Sequence, residues 1–280
     1  MNEILSKTEL APKIVEFVVQ APRLAGKAQP GQFVVVMASQ EGERIPLTIA
    51  DFDRQRGTIT MVLMVVGTSS MKLSRLEVGD ALHALIGPLG QPSETEGFQS
   101  VVLVAGGVGT APVYPIARAF HEHGARVITI QGARSKELLF WTERMAQVSD
   151  QHIITTDDGS CGRKGLVTEP LKEILEQDTQ RRIGVVYAIG PAVMMKFCAK
   201  TTQPFGVKTM VSLNTVMVDG TGMCGGCRVT VGNEVRFTCA DGPEFDGHLV
   251  DWDELLSRQK VYVEHENCSL KRYVEQYQPQ

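Results

Sequence analysis

No stretch of about 18 consecutive apolar residues occurs in the 280-residue chain, so nothing in it reads as a membrane-spanning helix. Charge of one sign is not in excess either. Lys and Arg number 28 against 32 Asp and Glu, a net charge of −4, which offers no basic face of the kind that nucleic-acid binding needs. The first nine residues, Met1 to Glu9, are polar and charged and lack the apolar segment of a secretory signal, which predicts a cytoplasmic address. Internal repeats and low-complexity tracts are absent. Cysteine is not spread as a disulfide framework: of six, three fall between positions 224 and 239. In a reducing compartment, clustered cysteines point to metal binding or redox chemistry.

What is present divides into three textures. Up to about residue 90 the chain alternates short β-rich runs (Ile14 to Val19, Gln32 to Met37, Thr58 to Val66, Ala81 to Ile86) with turn formers, which predicts a small antiparallel barrel over 1–95. From about residue 98 apolar strands alternate with helical segments. The strands are Ser100 to Ala105, Arg126 to Gln131, His152 to Thr156 and Val185 to Ile189; the helices are Thr110 to His123, Glu137 to Val148 and Leu166 to Gln177. That alternation predicts a parallel-sheet α/β domain over 96–209. A Gly- and Cys-rich segment follows, expected to fold around a metal centre within 210–280, with a surface tail beyond Gly247.

The densest chemical signal is Asp219-Gly-Thr-Gly-Met-Cys224-Gly-Gly-Cys227, followed by Cys239. Three thiols converge from a glycine loop and one return strand. Asp219 stands five residues before Cys224, where the first cysteine falls in the plant-type [2Fe–2S] spacing. A carboxylate carries the same single charge as a thiolate, so the expected site is a [2Fe–2S] cluster on Asp219, Cys224, Cys227 and Cys239. A structural zinc on the same donors, a set of plain buried thiols, and Asp219 as a turn residue beside Gly220 are the alternatives. Cys198 and Cys268 are more distant candidates for the fourth ligand.

Two further motifs suit phosphates. Val101 to Ala105 leads through Gly106-Gly107-Val108-Gly109 to Thr110, a buried strand, a glycine turn and a helix start, where free amides favour a pyrophosphate. Gly67-Thr68-Ser69-Ser70 follows a strand and offers hydroxyls and amides, with a short helix expected from Met71. Arg44, just before Pro46-Leu47-Thr48, adds a guanidinium.

Taken in this order, the Arg…Pro-Leu-Thr element, the Gly-Thr-Ser-Ser turn and Gly-Gly-Val-Gly-Thr-Ala-Pro resemble the ferredoxin–NADP⁺ reductase superfamily. With the Cys-rich loop added, nearly the whole chain resembles the electron-transfer subunits of dihydroorotate dehydrogenase B. It is similar also to the small subunits of NADH-dependent ferredoxin–NADP⁺ oxidoreductase (sulfide dehydrogenase), which the aspartate at the first ligand position favours. The resemblance implies FAD on the barrel, held by Arg44, Pro46, Leu47, Thr48, Gly67, Thr68, Ser69 and Ser70. It implies NAD(H) on the α/β domain, facing Gly107, Gly109 and Thr110. Gly132 and Arg134 beyond the second strand, Asp157 and Asp158 beyond the third, and Gly190 and Pro191 beyond the last stand at the same edge, where ligands bind in such sheets. No side-chain acid or base is implied. A larger flavin and iron–sulfur subunit is the implied heterodimer partner, with ferredoxin reached through it and electron bifurcation as the joint activity. Dihydroorotate dehydrogenase, hydrogenase or sulfite reductase partners, and a non-catalytic redox-responsive subunit, are the other readings.

Overall fold

The computed structural model describes residues 2–277. Six strands form the first sheet: β1 (Ile4–Ala11), β2 (Ile14–Gln20), β3 (Phe33–Met37), β4 (Ile45–Asp53), β5 (Thr58–Met64) and β6 (Ala84–Leu89). Their order is β1-β2-β5-β4-β3-β6, every pairing antiparallel. A bridge from Glu3 to Ala81, just ahead of β6, brings the two ends together as a barrel. Side chains alternate across each strand. Val34, Val36, Ile49, Ile59, Met61 and Leu63 thereby fill the interior together with Ile4 and Phe17. The short helix α1 (Pro22–Ala25) lies against β5, and α2 (Thr68–Ser74) follows it. The β-rich runs of the sequence include neither β1 nor β4. The Arg44–Thr48 element, which comes after β3 in the chain, is itself a strand from Ile45 onward, β4.

The second sheet has seven strands, β7 (Ser100–Gly106), β8 (Arg126–Ala133), β9 (Gln151–Thr156), β10 (Arg163–Lys164), β11 (Ile183–Ile189), β12 (Lys208–Ser212) and β15 (Glu244–Asp246), in the order β10-β9-β8-β7-β11-β12-β15. All neighbours are parallel except β12 and β15. The central strand β7 is buried along its whole length because helices cover both faces. One face packs on α3 (Thr110–Glu122) through Val101, Leu103, Val113, Ile116 and Phe120. The other packs on α5 (Thr168–Gln177) and α6 (Ala192–Thr202) through Val102, Val104, Ile130, Leu171 and Met195.

Four expectations change. The helix expected over Glu137 to Val148 is a 3₁₀ turn (Lys136–Leu138) followed by the short helix α4 (Thr142–Gln147). Between them Trp141 adopts φ +55°, which turns its ring toward the barrel. There it packs with Phe140, Ala111, Ala11, Ile14, Ala50 and Val62, and its indole N–H donates to Glu16 Oε2 at 3.0 Å. Second, β11 is not the last strand: β12 follows it, and the expected boundary at 209/210 falls inside β12. Third, the Cys-rich segment is not separate. It forms the hairpin β13 (Arg228–Val231) and β14 (Glu234–Phe237), the short helix α7 (Thr238–Asp241), and then β15, which joins the nucleotide-domain sheet. Fourth, the expected tail is two helices, α8 (Trp252–Arg258) and α9 (Val263–Tyr277). The α8 start is capped by Asp251, whose carboxylate accepts from Asp253 N at 3.1 Å and Glu254 N at 2.9 Å. Among the described residues, no helix is long and apolar enough to cross a membrane.

The three parts meet at Glu244. Ser93, in the connection between the two sheets, donates to Glu244 Oε1 at 2.7 Å, and Gln91 N donates to Gly242 O at 2.6 Å. Loss of water contact pushes the Glu244 carboxyl up to about 7, with the Ser93 bond opposing. The folded chain therefore binds a proton there that the unfolded chain has released above the ordinary carboxylate range. Stability from this group is full below about pH 4.5 and declines as pH rises to about 7. Glu244→Gln should remove that decline, leaving the variant on the order of 1–2 kcal/mol more stable than the parent at pH 8 and equal or weaker at pH 5. Urea denaturation at the two pH values checks it; parallel profiles for both proteins would refute the assignment.

Candidate functional site

The pleat of β3 decides what faces what. Val34 and Val36 point into the barrel, so Phe33 and Val35 point out, where they pack with Met217, Cys227 and Cys239. In β4, Thr48 lies opposite Phe33, Leu47 opposite Val34 and Pro46 opposite Val35. Residues directly opposite share a face. Pro46 and Thr48 therefore lie on the face that also carries the Cys-rich loop. Leu47 packs into the barrel and reaches that face only through its backbone. Arg44 is exposed at the end of the loop leading into β4. Sequence reading missed Phe33, Val35 and Met217, although the two-residue alternation of Phe33 to Met37 against the barrel core carries the signal.

The loop itself fits an iron–sulfur group. Cys227 and Cys239 are 1% and 2% exposed, unlinked, with their sulfurs 3.2 Å apart. Two thiolates on one tetrahedral metal with bonds of ~2.3 Å stand about 3.7 Å apart, so the pair is nearly set for sharing one ion. Gly222 N donates to Cys239 Sγ at 3.2 Å, the amide-to-sulfur contact that stabilises a thiolate. Gly222 needs φ +86° to make it, and Gly220 at φ +76° lies so flat on the barrel that a Cβ would come within 2.9 Å of Leu89 and Val35. On the outer side Asp219 is half-buried and Cys224 is exposed. The Asp219 carboxylate accepts from Thr221 N and Cys224 N, both at 2.9 Å. The Thr221 amide, then that of Cys224, holds its carboxyl below the usual pKa range, so the group is an anion at neutral pH. Among the described residues, no three such donors stand close enough to grip one ion. They form an inner buried sulfur pair and an outer carboxylate joined to the Cys224 backbone, an arrangement that suits two irons better than one zinc. Cys198 is buried in the α6 face of the second sheet and Cys268 is exposed on α9, and neither belongs to the apolar cluster that holds Cys227 and Cys239.

At the carboxyl edge of the second sheet the glycines divide into two kinds. Gly107 has φ +54° and open space where a Cβ would sit, so its backbone is free to be approached. A Cβ on Gly109 would lie 2.1 Å from Ile189 O, so this glycine serves the packing of α3 on β11. Gly106 and Gly190 similarly touch across that edge. The Thr110 hydroxyl is buried and accepts from Gln131 Nε2 at 3.3 Å, so it too is structural; Gln131 Oε1 beside it has no partner. Gly132 lies within β8 and only Arg134 beyond it, with Asp157 and Asp158 after β9. The Ser160 hydroxyl, then its amide, keeps Asp158 below the usual carboxylate range. Pro191 leads into α6.

At the start of α2, Thr68, Ser69 and Ser70 form the first helical turn, with Gly67 as its cap; the helix begins three residues earlier than expected. The Ser70 hydroxyl accepts from Gly67 N at 3.0 Å, and Ser69 donates to Glu43 Oε2. Gly67 has no neighbour where a Cβ would be, which leaves this turn open on one side to a phosphate.

Comparisons with known proteins agree with this layout. Residues 214–251 match the model of the iron–sulfur cluster binding domain of dihydroorotate dehydrogenase B, and 103–200 match that of the oxidoreductase NAD-binding domain. The chain is 46% identical over 274 residues, 98% of its length and 96% of the relative's, to a dihydroorotate dehydrogenase B (NAD⁺) electron transfer subunit homolog of Thermotoga maritima. It is 33% identical to the electron transfer subunit of that enzyme from Shouchella clausii, covering 86% of this chain and 94% of the relative. Among solved structures, one of NADH-dependent reduced ferredoxin–NADP oxidoreductase superposes with TM-score 0.91 at 46% identity, over 98% of each chain.

The two kinds of glycine make different predictions. Gly109→Val drives a side chain into the Ile189 backbone and should destabilise the fold by about 3 kcal/mol or more. Gly107→Ala meets nothing and carries only the left-handed backbone strain, about 1–2 kcal/mol. Thermal unfolding should show a much larger fall for the first. Equal falls would mean that the Gly109 packing contact is not made.

Proposed function

We infer what the chain does from the fact that it belongs to the family of dihydroorotate dehydrogenase B electron-transfer subunits. It is the electron-transfer flavoprotein subunit of an oxidoreductase, taking reducing equivalents from NADH and passing them singly to a larger flavin and iron–sulfur subunit. Its likeness over its full length to a chain of NADH-dependent reduced ferredoxin–NADP oxidoreductase, a structure described in terms of flavin-based electron bifurcation, supports that type of complex. The relatives named for dihydroorotate dehydrogenase B favour a second reading, in which the partner oxidises dihydroorotate. A cytoplasmic location follows from the reducing conditions that free thiols require.

One observation carries the reading: the face of β3 and β4 assigned to flavin and the sulfur pair assigned to the cluster lie on one side of one sheet. When bound, FAD supplies exchange between two-electron and one-electron transfer, and the [2Fe–2S] cluster supplies a one-electron relay. The protein's part is alignment. Pro46 and Thr48 present the flavin face, with the Leu47 backbone between them. Arg44 and the Gly67–Ser70 turn stand ready for its phosphates. Gly107 and the α3 amides receive the nicotinamide nucleotide's pyrophosphate, while Gly109, Thr110, Gly132, Gly190 and Pro191 shape that edge. Asp157 and Asp158 set two carboxylates there, which disfavours a 2′-phosphate and makes NAD(H) the matching nucleotide; Arg134, beside them, moderates this preference. Asp219, Cys224, Cys227 and Cys239 are the cluster ligands in this reading. The division into 1–95, 96–209 and 210–280 serves as a functional one, although β15 links the last two.

The direct test mixes the purified chain with NADH anaerobically. Flavin absorbance should bleach and the cluster's paramagnetic signal should then appear, more readily with NADH than NADPH. Bound nucleotide without bleaching would indicate a non-catalytic, redox-responsive subunit. Identifying the co-purifying large subunit separates the two enzymatic readings.

A ligand series tests Asp219. Asp219→Cys should keep two irons and two sulfides per chain, with a lower reduction potential because thiolate donates more strongly. Asp219→Ala should lose iron or show an altered signal, and Cys198→Ser and Cys268→Ser should match the parent. A full parental signal in Asp219→Ala, with loss in either serine variant, would put the fourth ligand on a distant cysteine.

A further inference from the structure

The helix α9 has no buried residue, yet it is not detached. It lies along α2, and the contacts that hold it there fall on one stripe of each helix. Thr68 Oγ1 is 3.1 Å from Ser269 Oγ. Arg75 Nη1 donates to the Tyr273 hydroxyl at 2.9 Å, and its guanidinium stands 4.9 Å from the Tyr273 ring centre and 5.7 Å from that of Tyr277. Lys72 Nζ approaches Tyr273 from 5.6 Å, and the two tyrosine rings stack at 4.7 Å. Thr68, Lys72 and Arg75 are spaced i, i+4, i+7, and Ser269, Tyr273 and Tyr277 are spaced i, i+4, i+8, so both stripes follow helical neighbours.

A 15-residue helix of this polarity is marginal by itself in water, and exposed cation–π contacts are weak. Its seat is nevertheless specific. Thr68 opens the helical turn assigned above to the flavin's diphosphate, and Lys72 and Arg75 follow it along α2. What α9 covers is the stretch of α2 that continues from that turn.

We propose that α9 is part of the flavin site: a clasp over the adenosine-diphosphate half of FAD, seated through Ser269, Tyr273 and Tyr277 on α2. This rests on the reading of the barrel as the flavin domain. The clasp acts by linkage. A phosphate held on the Thr68–Ser70 turn keeps α2 in the position that α9 grips, and α9 in turn keeps that turn in place, so each favours the other. Because no α9 residue belongs to either core or to the cluster under the Cys-rich loop, its removal should leave all three folded.

The test compares the full chain with a chain ending at Tyr262 and with Tyr273→Ala and Tyr273→Phe, reading FAD release by the rise in flavin fluorescence after dilution. Iron content and the reduced cluster's paramagnetic signal serve as controls. Release should be at least tenfold faster for the shortened chain and several-fold faster for Tyr273→Ala, with Tyr273→Phe between it and the parent. Iron and cluster signal should not change. FMN, which lacks the adenosine half, should be released at the same rate from the full and shortened chains. Parental or slower FAD release from the shortened chain overturns the proposal, as does an equal acceleration for FMN and FAD, which would make α9 a general support of the barrel. A full chain that retains no FAD overturns the flavin assignment itself, and is distinguished by the absence of flavin from every variant.

Discussion

Side chains on an extended strand alternate, and on β3 that rule forces a division of labour. Val34 and Val36 belong to the barrel interior, which leaves Phe33 and Val35 to face outward. An outward aromatic and valine on a central strand demand a cover, and the Cys-rich loop supplies it with Met217, Cys227, Cys239 and a glycine that can lie flat. The neighbouring strand β4 is locked in register with β3, so its outward residues, Pro46 and Thr48, share the same side. A slip of one residue would turn all of these to the interior at once. The barrel core thus fixes the relation between the flavin face and the sulfur pair without any dedicated linker.

The second constraint is that the Cys-rich segment is fastened on its other side to the nucleotide domain. The strand β15 hydrogen-bonds to β12, Leu213 N donates to Pro243 O, and Trp252 and Leu255 of α8 enter the core beneath α6. Gly247 sits where a side chain would collide with Val211. The barrel and the α/β domain are joined independently through Trp141, whose left-handed backbone costs about 1–2 kcal/mol by itself. That cost is offset by an indole buried against barrel residues and bonded to Glu16, with Arg118 paired to Asp51 and stacked on Phe52 alongside. Three modules are therefore fixed to each other by backbone ladders and buried rings, which suits electron transfer that depends on fixed separations.

How far the chain can be read without its structure follows from what each signal measures. The buried strands of the second sheet were legible because a continuous apolar run between glycines suits a strand covered on both faces and little else. The cysteine spacing was legible because it is rare by chance. β4 was hidden: Arg-Ile-Pro-Leu-Thr contains a proline and looks like a loop, yet Pro46 is tolerated where β4 pairs with β3. The break before α4 was illegible because Trp141 is a poor left-handed residue, and only tertiary contact selects that conformation. In α8 the Asp251…Glu254 pair was an available start signal. In α9 the stripe of Leu270, Tyr273, Val274 and Tyr277 at helical spacing was an available signal, though none of these residues is fully buried. The glycines of the nucleotide turn show the limit of motif transfer: the motif located the turn, but only the neighbouring Ile189 carbonyl distinguishes Gly109, needed for packing, from Gly107, open to a ligand.

The Cys-rich loop has two unlike edges. Its inner edge is dry: Cys227 and Cys239 lie against Phe33, Val35 and Met217 and touch no solvent of consequence. Its outer edge is wetter: Asp219 is half-buried, Cys224 is exposed, Met223 is 89% exposed, and Val218 stands out beside them. A carboxylate is tolerable as a ligand only on such an edge, because burying it unpaired would cost several kcal/mol. There the Thr221 and Cys224 amides keep it ionised without a counter-charge. On the reading proposed above, the choice of aspartate over cysteine and the placement of that ligand toward solvent have one cause. The loop has a dry side fitted to a donor within the chain and an open side fitted to an acceptor outside it, and the difference between the two is set by which residues β3 leaves to be covered.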